Sequence, residues 1–295
     1  MKLTYNTHTG RYVLINEMRD QRKDDFVKTK DQQENCPFCP GQLKDMNCLR
    51  YEHRIDDKWV TRSIDNKYPA LLCDEELHES GEIDYGKHEV MIECREHLKS
   101  YYDFSMVDFE RVVEMFKNRY IELNEDEKTE SVVIYKNHLK SAGASKIHSH
   151  SQILSMSFIA PELEKELSLD NNQQIDTNCI IRQTANLIAY APCDAYLSGE
   201  VIITHKQSQR FDLLENNETI ELAELMQHIF GKIKKIYGAI PFNLFVHSLP
   251  KNAMHKHFKW HVHIIPRKGN FGGFELSTGL YINSLNIHEM VEQFK

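Results

Sequence analysis

Two segments of the chain repeat the same order of apolar patterns, and this repeat constrains the fold more than any other feature. Residues 89–92 form an apolar run that precedes an amphipathic stripe at helical spacing over 109–120, with Ser105 as the expected N-cap. Residues 200–203 likewise precede a stripe of the same spacing over 222–233. The repeat predicts two similar units, each built around one long helix.

Each unit continues with two further strand patterns after its helix. In the first unit these are 132–135 and 148–154, and in the second they are 242–247 and 261–265. Gly238 offers an end to the second helix. The last strand of each unit carries His or Gln at alternate positions. We therefore expect an α+β fold of two similar repeats, with mainly antiparallel sheets and helices packed on them.

The division between the units is expected in the polar stretch that begins at residue 170, which lacks apolar periodicity. This gives an N-terminal half, 1–170, that contains the strand pattern at 148–154 and the cysteines at 36 and 39, and a C-terminal half, 171–295. A net charge of −8 argues against a nucleic-acid partner. No stretch of the sequence comes close to the ~20 consecutive apolar residues that a membrane-spanning helix requires. The composition predicts a soluble, cytoplasmic protein with neither partner.

His148, His150 and Gln152 alternate along the last strand of the first unit. Alternation in a strand places all three on one face, with neighbours about 6.6 Å apart, so they can share one ligand. The strand follows a run of small residues, 141–145, whose backbone amides can approach phosphate oxygens closely. The alternative is an edge strand whose histidines only make surface hydrogen bonds.

Cys36 and Cys39 have the two-residue spacer that lets two thiolates bind one zinc ion. His97 and His148 are the candidates for the other two ligands. Four protein ligands would close the coordination shell, so such a zinc is structural and pins His148 beside His150. The alternative is a reduced turn without metal. The remaining cysteines are expected to be reduced and to pack as small hydrophobic residues: Cys48, Cys73, Cys94, Cys179 and Cys193.

A second group of histidines is dense enough to indicate another metal site or a polar binding wall. Its members are His247, His255, His257, His261 and His263. Glu166, which shares a helix face with Glu162, can supply a carboxylate ligand. The alternative is a set of neutral histidines that are packed or solvated.

Taken together, these motifs resemble the galactose-1-phosphate uridylyltransferase family of the histidine-triad superfamily. The resemblance covers nearly the whole chain. It includes the Cys-Pro-Phe-Cys turn at 36–39, the His-Ser-His-Ser-Gln strand at 148–152, and the closing segment 272–283. The turn at 136–145 and the Gly-Phe-Glu ending resemble ADP-glucose phosphorylases at least as strongly.

The resemblance implies a two-step exchange in which His150 attacks the α-phosphorus of a nucleoside diphosphate sugar and forms a covalent nucleotidyl-histidine. Gln152 then donates a hydrogen bond to the phosphoryl oxygens without bringing a proton of its own. The implied zinc ligands are Cys36, Cys39, His97 and His148. The implied ligands of a second metal, zinc or iron, are Glu166, His247, His261 and His263. The implied substrate contacts are Arg19, Arg22, Asn66, Asn137, Gly143 and Ser145, with Glu275 contributed across a homodimer.

The acceptor of the nucleotidyl group is the open question. The leading expectation is transfer between a nucleoside diphosphate sugar and a sugar 1-phosphate, as in galactose metabolism. Phosphorolysis of ADP-glucose or a dinucleoside polyphosphate, with inorganic phosphate as acceptor, is the second. Tyr281 stands near the place where the galactose enzymes have a Gln that touches the sugar. A third alternative is a zinc-stabilised module that binds nucleotide without catalysis.

Overall fold

The computed structural model describes residues 2–15, 36–43, 48–71, 85–169, 174–269 and 272–295. Within these residues the strands are β1 (Lys2–Asn6), β2 (Arg11–Ile15), β3 (Leu49–Ile55), β4 (Lys58–Asp65), β5 (His88–Ile92), β6 (Ser131–His138), β7 (His150–Met156), β8 (Ile180–Gln183), β9 (Leu187–Tyr190), β10 (Val201–His205), β11 (Phe242–His247) and β12 (His261–Pro266). The α-helices are α1 (Met106–Glu125), α2 (Pro161–Leu167), α3 (Asn216–Tyr237), α4 (Gly273–Thr278) and α5 (Ile287–Phe294).

Ten of the strands form one continuous antiparallel sheet, in the order β3-β4-β5-β7-β6-β11-β12-β10-β9-β8. The five strands from residues 49–156 occupy one side and the five from residues 180–266 the other. They join where β6 pairs with β11, with Ile134 opposite Val246. The α+β class and the mainly antiparallel sheet are confirmed. The division at 170 and 171 stays a prediction, because 170–173 lie outside the described residues.

The start of the first long helix and the end of the second lie where the sequence indicates. Ser105 caps α1, and Asp108 completes a capping box by accepting from the Ser105 backbone N–H. Gly238, at φ +80°, ends α3 in a conformation that favours glycine. Both helices pack on one face of the sheet, where Phe109 of α1 stacks on Phe230 of α3. None of the helices within the described ranges has the length and apolar composition that a membrane crossing requires.

Strand alternation separates the two faces of the sheet. On β11, Leu244 and Val246 are buried in the core under the helices, whereas the intervening Phe245 and the terminal His247 belong to the opposite face. On β12, Val262 and Ile264 are likewise in the core. Removing any one of these buried side chains from water contributes about 1.5–3 kcal/mol, which fixes the register of both strands. The polar residues are therefore forced onto the open face.

The strand that carries His150 and Gln152 begins two residues later than the alternation predicts. β7 starts at His150, which is paired with Ile92, the last residue of β5. On its other side the ladder with β6 starts only at Gln152, opposite Tyr135. Beyond Ile92, the hydrogen bond from Glu93 N to Ser149 O continues the contact between the two chain segments. His148 has therefore left the sheet, and its side chain follows a different path from those of His150 and Gln152.

The expectation that all five remaining cysteines are reduced was wrong for two of them. Cys179 and Cys193 form a disulfide, with their Cα atoms 6.5 Å apart. The chain leaves β9 at Tyr190 and returns to the start of β8, where Ala191 N donates to Cys179 O. This local backbone contact brings two thiols 14 residues apart within bonding reach. Cys94 is a buried free thiol, as expected, and Cys73 lies outside the described residues.

Candidate active site

The open face of the sheet gathers most of the polar residues singled out in the sequence. The strand β7 supplies His150 and Gln152, and its neighbours β5 and β6 supply His88 and Tyr135. Farther along the same sheet, β11 and β12 supply His247 and His261. Because one sheet carries all of them, the two clusters are held by the same rigid scaffold.

Four predicted ligands meet at the entry to β7. The ligand atoms of Cys36, Cys39, His97 and His148 all lie within 4.8 Å of one another, and all four residues are buried. The Sγ atom of Cys39 is 3.4 Å from His97 Nδ1 and 3.5 Å from His148 Nδ1, and Cys36 Sγ is 3.7 Å from the same His148 nitrogen. A tetrahedral zinc with ~2.3 Å bonds to sulfur and ~2.1 Å bonds to nitrogen separates those atoms by ~3.6 Å. The residues therefore fit a structural zinc.

The surroundings of this cluster suit a metal as well. The second ring nitrogen of His148, Nε2, lies 2.9 Å from Cys94 O, the hydrogen bond that usually orients a metal-binding imidazole. Burial raises the pKa of Cys36 to about 12, so its thiolate requires a cation beside it. Phe38, between the two cysteines, packs against the His150 ring at 5.2 Å. The turn that carries the thiols is thus in direct contact with the candidate nucleophile.

The His150 imidazole is buried and held at one nitrogen. Its Nδ1 lies 2.8 Å from the backbone oxygen of His148, which can only accept, so Nδ1 carries the proton. Burial, assisted by the nearby positive charge of Lys136, lowers the pKa of His150 to about 4. The ring is therefore neutral at pH 7, with the lone pair on Nε2. A neutral imidazole with a fixed donor and a free lone pair is a competent nucleophile.

Gln152 is held two residues farther along the same strand. Its Oε1 accepts from Asn66 Nδ2 and from the Tyr135 hydroxyl, both at 3.1 Å, and lies 3.0 Å from His88 Nε2. Asn66, expected to contact the nucleotide, also accepts from Tyr68 N through its Oδ1. The structure thus brings Asn66 and Gln152 together and adds two residues, His88 and Tyr135, that the sequence did not single out.

A buried ion pair lies beneath β7, on the face that the helices cover. Lys136 Nζ donates to Glu93, to Ser149 Oγ and, at 3.0 Å, to His150 O. Both charged side chains are almost completely inaccessible, with 1% and 0% exposed. Despite burial, the attraction of Lys136 keeps the pKa of Glu93 below its usual value. The β6–β7 ladder does not reach His150, so the Lys136 ammonium supplies the hydrogen bond to the His150 carbonyl oxygen in place of a backbone N–H of β6.

The turn of small residues lies between β6 and β7. Leu139 adopts φ +66° and Gly143 adopts φ +89°, and a side chain at Gly143 would approach the Asn137 amide nitrogen to 3.5 Å. Asn243 of β11 fastens the turn, because its Nδ2 donates to Asn137 Oδ1 at 2.7 Å and to Ala142 O at 2.9 Å. The predicted phosphate contacts Asn137 and Gly143 are thus adjacent, and Ser145 follows in the same turn, half-buried.

The second metal cluster is assembled from three of its four expected ligands. Ligand atoms of Glu166, His247 and His261 lie within 4.8 Å of one another. Burial opposes ionisation of Glu166, but hydrogen bonds from the two histidines outweigh it and hold the pKa of this carboxyl well below its usual range. A carboxylate with two imidazoles is a ligand set for zinc or iron. Of the other histidines in the group, His255 lies 3.1 Å from Leu169 O through its Nε2 and His257 is exposed.

His263 is not part of that group of ligand atoms. Its Nδ1 lies 2.5 Å from Glu200 Oε1, and its ring stacks on Phe245 at 4.4 Å. Burial, together with the nearby Asp194, raises the pKa of Glu200 to about 7. The sequence alternation placed His261 and His263 on one strand face correctly, but a carboxylate on the neighbouring strand segment engages the second histidine.

Of the three remaining predicted substrate contacts, Glu275 lies within the described residues. Glu275, in α4, accepts from Gly272 N of its own helix at 2.8 Å, so its described hydrogen bond is local. It helps to form a cavity of about 280 Å³ together with Tyr196, Ser198, Arg267, Lys268 and Tyr281. Arg19 and Arg22 lie outside the described residues.

The arrangement is a neutral imidazole beside a turn of potential metal ligands, an amide side chain and a backbone turn that contains Gly143. The profile of the galactose-1-phosphate uridyl transferase N-terminal domain matches residues 4–160, more than half of the 295 residues. The chain belongs to this family.

Members of the galactose-1-phosphate uridyl transferase family cover the whole chain. It is 28% identical to the ADP-glucose phosphorylase of Arabidopsis thaliana, over 93% of this chain and 87% of the relative. It is 23% identical to the galactose-1-phosphate uridylyltransferase of Thermotoga maritima, over 100% of this chain and 98% of the relative. These relatives are a phosphorylase and a nucleotidyltransferase, both acting in carbohydrate metabolism.

Solved structures of this family share the fold. The Arabidopsis thaliana ADP-glucose phosphorylase with bound ADP-glucose superposes with a TM-score of 0.79 at 25% identity, covering 99% of this chain and 98% of that one. A uridylyltransferase structure superposes with a TM-score of 0.81 at 18% identity, covering 100% and 98%, and this likeness shows the fold alone.

Several residues around the site escaped the sequence analysis. Lys136 carried a readable signal, because a charged residue inside a β-branched run must be paired if the strand is buried. His88 and Asn243 carried none, since each is a single polar residue within a strand pattern. Only the sheet order brings them beside Gln152 and Asn137.

Proposed function

We propose that this protein transfers a nucleotidyl group from a nucleoside diphosphate sugar to a phosphate acceptor through a covalent intermediate on His150. The observation that carries the proposal is the hydrogen bond between His150 Nδ1 and His148 O, at 2.8 Å. It leaves the Nε2 lone pair as the reactive site of a ring that is neutral at pH 7.

In the first step His150 Nε2 forms a bond to the α-phosphorus. The bond between that phosphorus and the oxygen bridging to the β-phosphate breaks, and sugar 1-phosphate leaves with the electron pair. The proton stays on Nδ1 and is donated as a hydrogen bond to the His148 carbonyl oxygen, which stabilises the positive charge of the substituted ring. In the second step an acceptor phosphate oxygen attacks the same phosphorus, and the phosphorus–nitrogen bond breaks.

Charge on the phosphoryl oxygens is stabilised by neighbouring donors. The Gln152 amide lies on the same strand face, and the turn that contains Gly143 and Ser145 offers backbone N–H groups and a hydroxyl. A glutamine has no acidic proton to give a leaving group, which favours transfer over hydrolysis. A zinc held by the Cys36 cluster would supply no reacting ligand position, because four protein ligands close its shell. Its contribution is to fix the Phe38 turn against His150.

ADP-glucose and inorganic phosphate are the proposed substrate pair. The greater identity to the ADP-glucose phosphorylase, 28% against 23% for the uridylyltransferase, supports this choice. Exchange with a sugar 1-phosphate is the second candidate, which the match to the uridyl transferase profile supports. We also propose a homodimer in which Glu275 contacts the sugar bound to the other copy, as the resemblance to the uridylyltransferase family implies.

The test is turnover of ADP-glucose and UDP-glucose, each with inorganic phosphate and with a hexose 1-phosphate as acceptor. Intact-protein mass spectrometry in the absence of acceptor should detect one acid-labile nucleotidyl group, on the peptide that contains His150. His150→Asn should abolish both the adduct and turnover, whereas His257→Asn, at an exposed histidine, should keep both. Nucleotide binding without adduct or turnover in the unsubstituted protein would instead support a non-catalytic binding module.

A further inference from the structure

We propose that His88 is a positioning residue that holds the Gln152 side-chain amide with its nitrogen, and not its oxygen, available to the reacting phosphate. This inference rests on the proposed function, because it assigns a role within the same site. His88 opens β5, and it faces Gln152 across the β5–β7 ladder, where Val90 is opposite Gln152 and His88 is opposite Leu154. The two side chains therefore lie on adjacent strands of one face.

The tautomer of His88 follows from its backbone partner. Ala70 N donates to His88 Nδ1 at 2.8 Å. A backbone N–H can only donate, so Nδ1 must be the unprotonated acceptor, and the proton of the neutral ring must be on Nε2. His88 is therefore a donor toward the site, and this polarity comes from the loop at Ala70 rather than from Gln152 itself.

The orientation of the Gln152 amide then follows. His88 Nε2 is 3.0 Å from Gln152 Oε1, and Asn66 Nδ2 and the Tyr135 hydroxyl each donate to the same oxygen at 3.1 Å. An amide oxygen accepts hydrogen bonds and an amide nitrogen cannot. The three converging donors therefore select the orientation in which Gln152 Oε1 faces them and Nε2 faces away. Among the described residues, Gln152 Nε2 has no hydrogen-bond partner, and it remains available to donate to a ligand.

This choice of orientation matters because the two ends of a glutamine amide are nearly equal in size. Shape alone does not select between them, and a flipped amide would present a carbonyl oxygen to an anionic phosphoryl oxygen. The Tyr135 hydroxyl can rotate to another acceptor. Asn66 and His88 are held by backbone donors, because Asn66 Oδ1 accepts from Tyr68 N and His88 Nδ1 accepts from Ala70 N. Of these two fixed donors, His88 Nε2 lies closer to Gln152 Oε1, at 3.0 Å against 3.1 Å.

The test is a double-mutant cycle between His88 and Gln152, measured on the nucleotidyl-transfer rate of the full chain. His88→Phe keeps a ring of similar size but removes the donor. We expect it to lower kcat by about 10- to 100-fold, since loss of a whole phosphate-stabilising donor lowers kcat by about 10²–10³-fold. KM for the sugar nucleotide should change by less than about threefold. In a Gln152→Ala background, His88→Phe should have no further effect on kcat.

His88→Gln is the rescue variant, because its amide can accept from Ala70 N and donate to Gln152, and it should keep most of the activity. If His88→Phe lowers kcat equally with and without Gln152, His88 acts through the fold and the inference is overturned. Unchanged kcat in His88→Phe overturns it as well, and so does a failure of His88→Gln to rescue. If the unsubstituted protein turns over no sugar nucleotide, the proposed function fails first and this inference falls with it.

Discussion

In His148 and His150, the two ring nitrogens have different partners and therefore different roles. His150 donates from Nδ1 to a backbone carbonyl and keeps Nε2 for chemistry, whereas His148 directs Nδ1 to the two thiols and Nε2 to Cys94 O. In each case one nitrogen is fixed by the backbone, so the role of the other is decided before any ligand binds. Local backbone geometry thus distinguishes the proposed nucleophile, His150, from the proposed metal ligand, His148, two residues away.

At the same scale, the environment of His138 predicts how the stability of the protein depends on pH. Its ring stacks on Phe242 at 4.9 Å, and burial, assisted by the charge of Lys136, lowers its pKa from 6.5 to about 3. Below pH 6.5 the unfolded chain therefore binds a proton at this residue that the folded chain does not, and stability is lost as pH falls toward 3. His138→Phe should remove up to about 1.4 kcal/mol per pH unit of that loss.

Urea unfolding of both proteins at several values between pH 4 and pH 7 measures this difference. Near neutral pH the difference in the free energy of unfolding between the two proteins should be constant. As the solution is acidified, this difference should shift in favour of the variant. Identical slopes for the two proteins would contradict the assignment of a half-buried, neutral His138.

At the scale of secondary structure, β7 is bonded differently to its two neighbouring strands, β5 and β6, at His150. The backbone ladder with β5 reaches His150, whereas the ladder with β6 stops at Gln152. The Lys136 ammonium occupies the gap and bonds Glu93, Ser149 and the carbonyl of His150. The Lys136 side chain thus replaces the backbone hydrogen bonds of the sheet at the point where β6 and β7 separate, just before His150.

Lys136→Met should therefore destabilise the protein strongly, because it leaves Glu93 buried without its partner. Removing one member of a buried ion pair costs about 3–5 kcal/mol. The matched control is Lys165→Met, whose partner Glu162 is exposed, with 70% and 75% of the two side chains accessible. An exposed pair contributes about 0–1 kcal/mol. Equal free energies of unfolding for the two variants would show that the Lys136 pair contributes no more than a surface contact.

At the scale of the whole molecule, one sheet connects the catalytic strand to the second metal cluster. The β6–β11 pairing joins the two runs of strands, and Asn243 of β11 fastens the turn beside Asn137. The Cys36 turn, the loop at His97 and His148 come from separate parts of the chain and meet only in the cluster. A metal bound there closes long loops, which restricts the unfolded chain and stabilises the folded one.

Removal of the zinc should lower the melting temperature and the activity together. A loss of about 3 kcal/mol lowers Tm by roughly 6–12 °C in a chain of this size, and Phe38 is expected to lose its contact with His150. Elemental analysis and calorimetry before and after chelation, with zinc added back, measure both effects. Cys36→Ser should behave like the chelated protein, whereas Cys48→Ser, at a half-buried thiol outside the cluster, should keep both metal and Tm. Full zinc content in Cys36→Ser would contradict the ligand assignment.

Much of this architecture is readable from the sequence because it depends on local periodicity. The stripe over 109–120 and the Ser105 cap define α1, and the stripe over 222–233 with Gly238 defines α3. The alternation from His150 to Gln152 also predicts their shared face. The Cys36–Cys39 spacing identifies half of a metal site, and its two proposed partners lie beside it. Each of these features is decided within a few turns or residues.

The rest required tertiary structure, because it depends on which strands become neighbours. No local pattern reveals that Cys193 returns to Cys179, that Glu200 engages His263, or that Lys136 completes the sheet at His150. Sequence by itself determined the element types and the residue types available for chemistry, since periodicity follows from backbone geometry. Only the folded sheet decided which nitrogen or oxygen of each side chain faces the site, since hydrogen-bond polarity is set by partners distant along the chain.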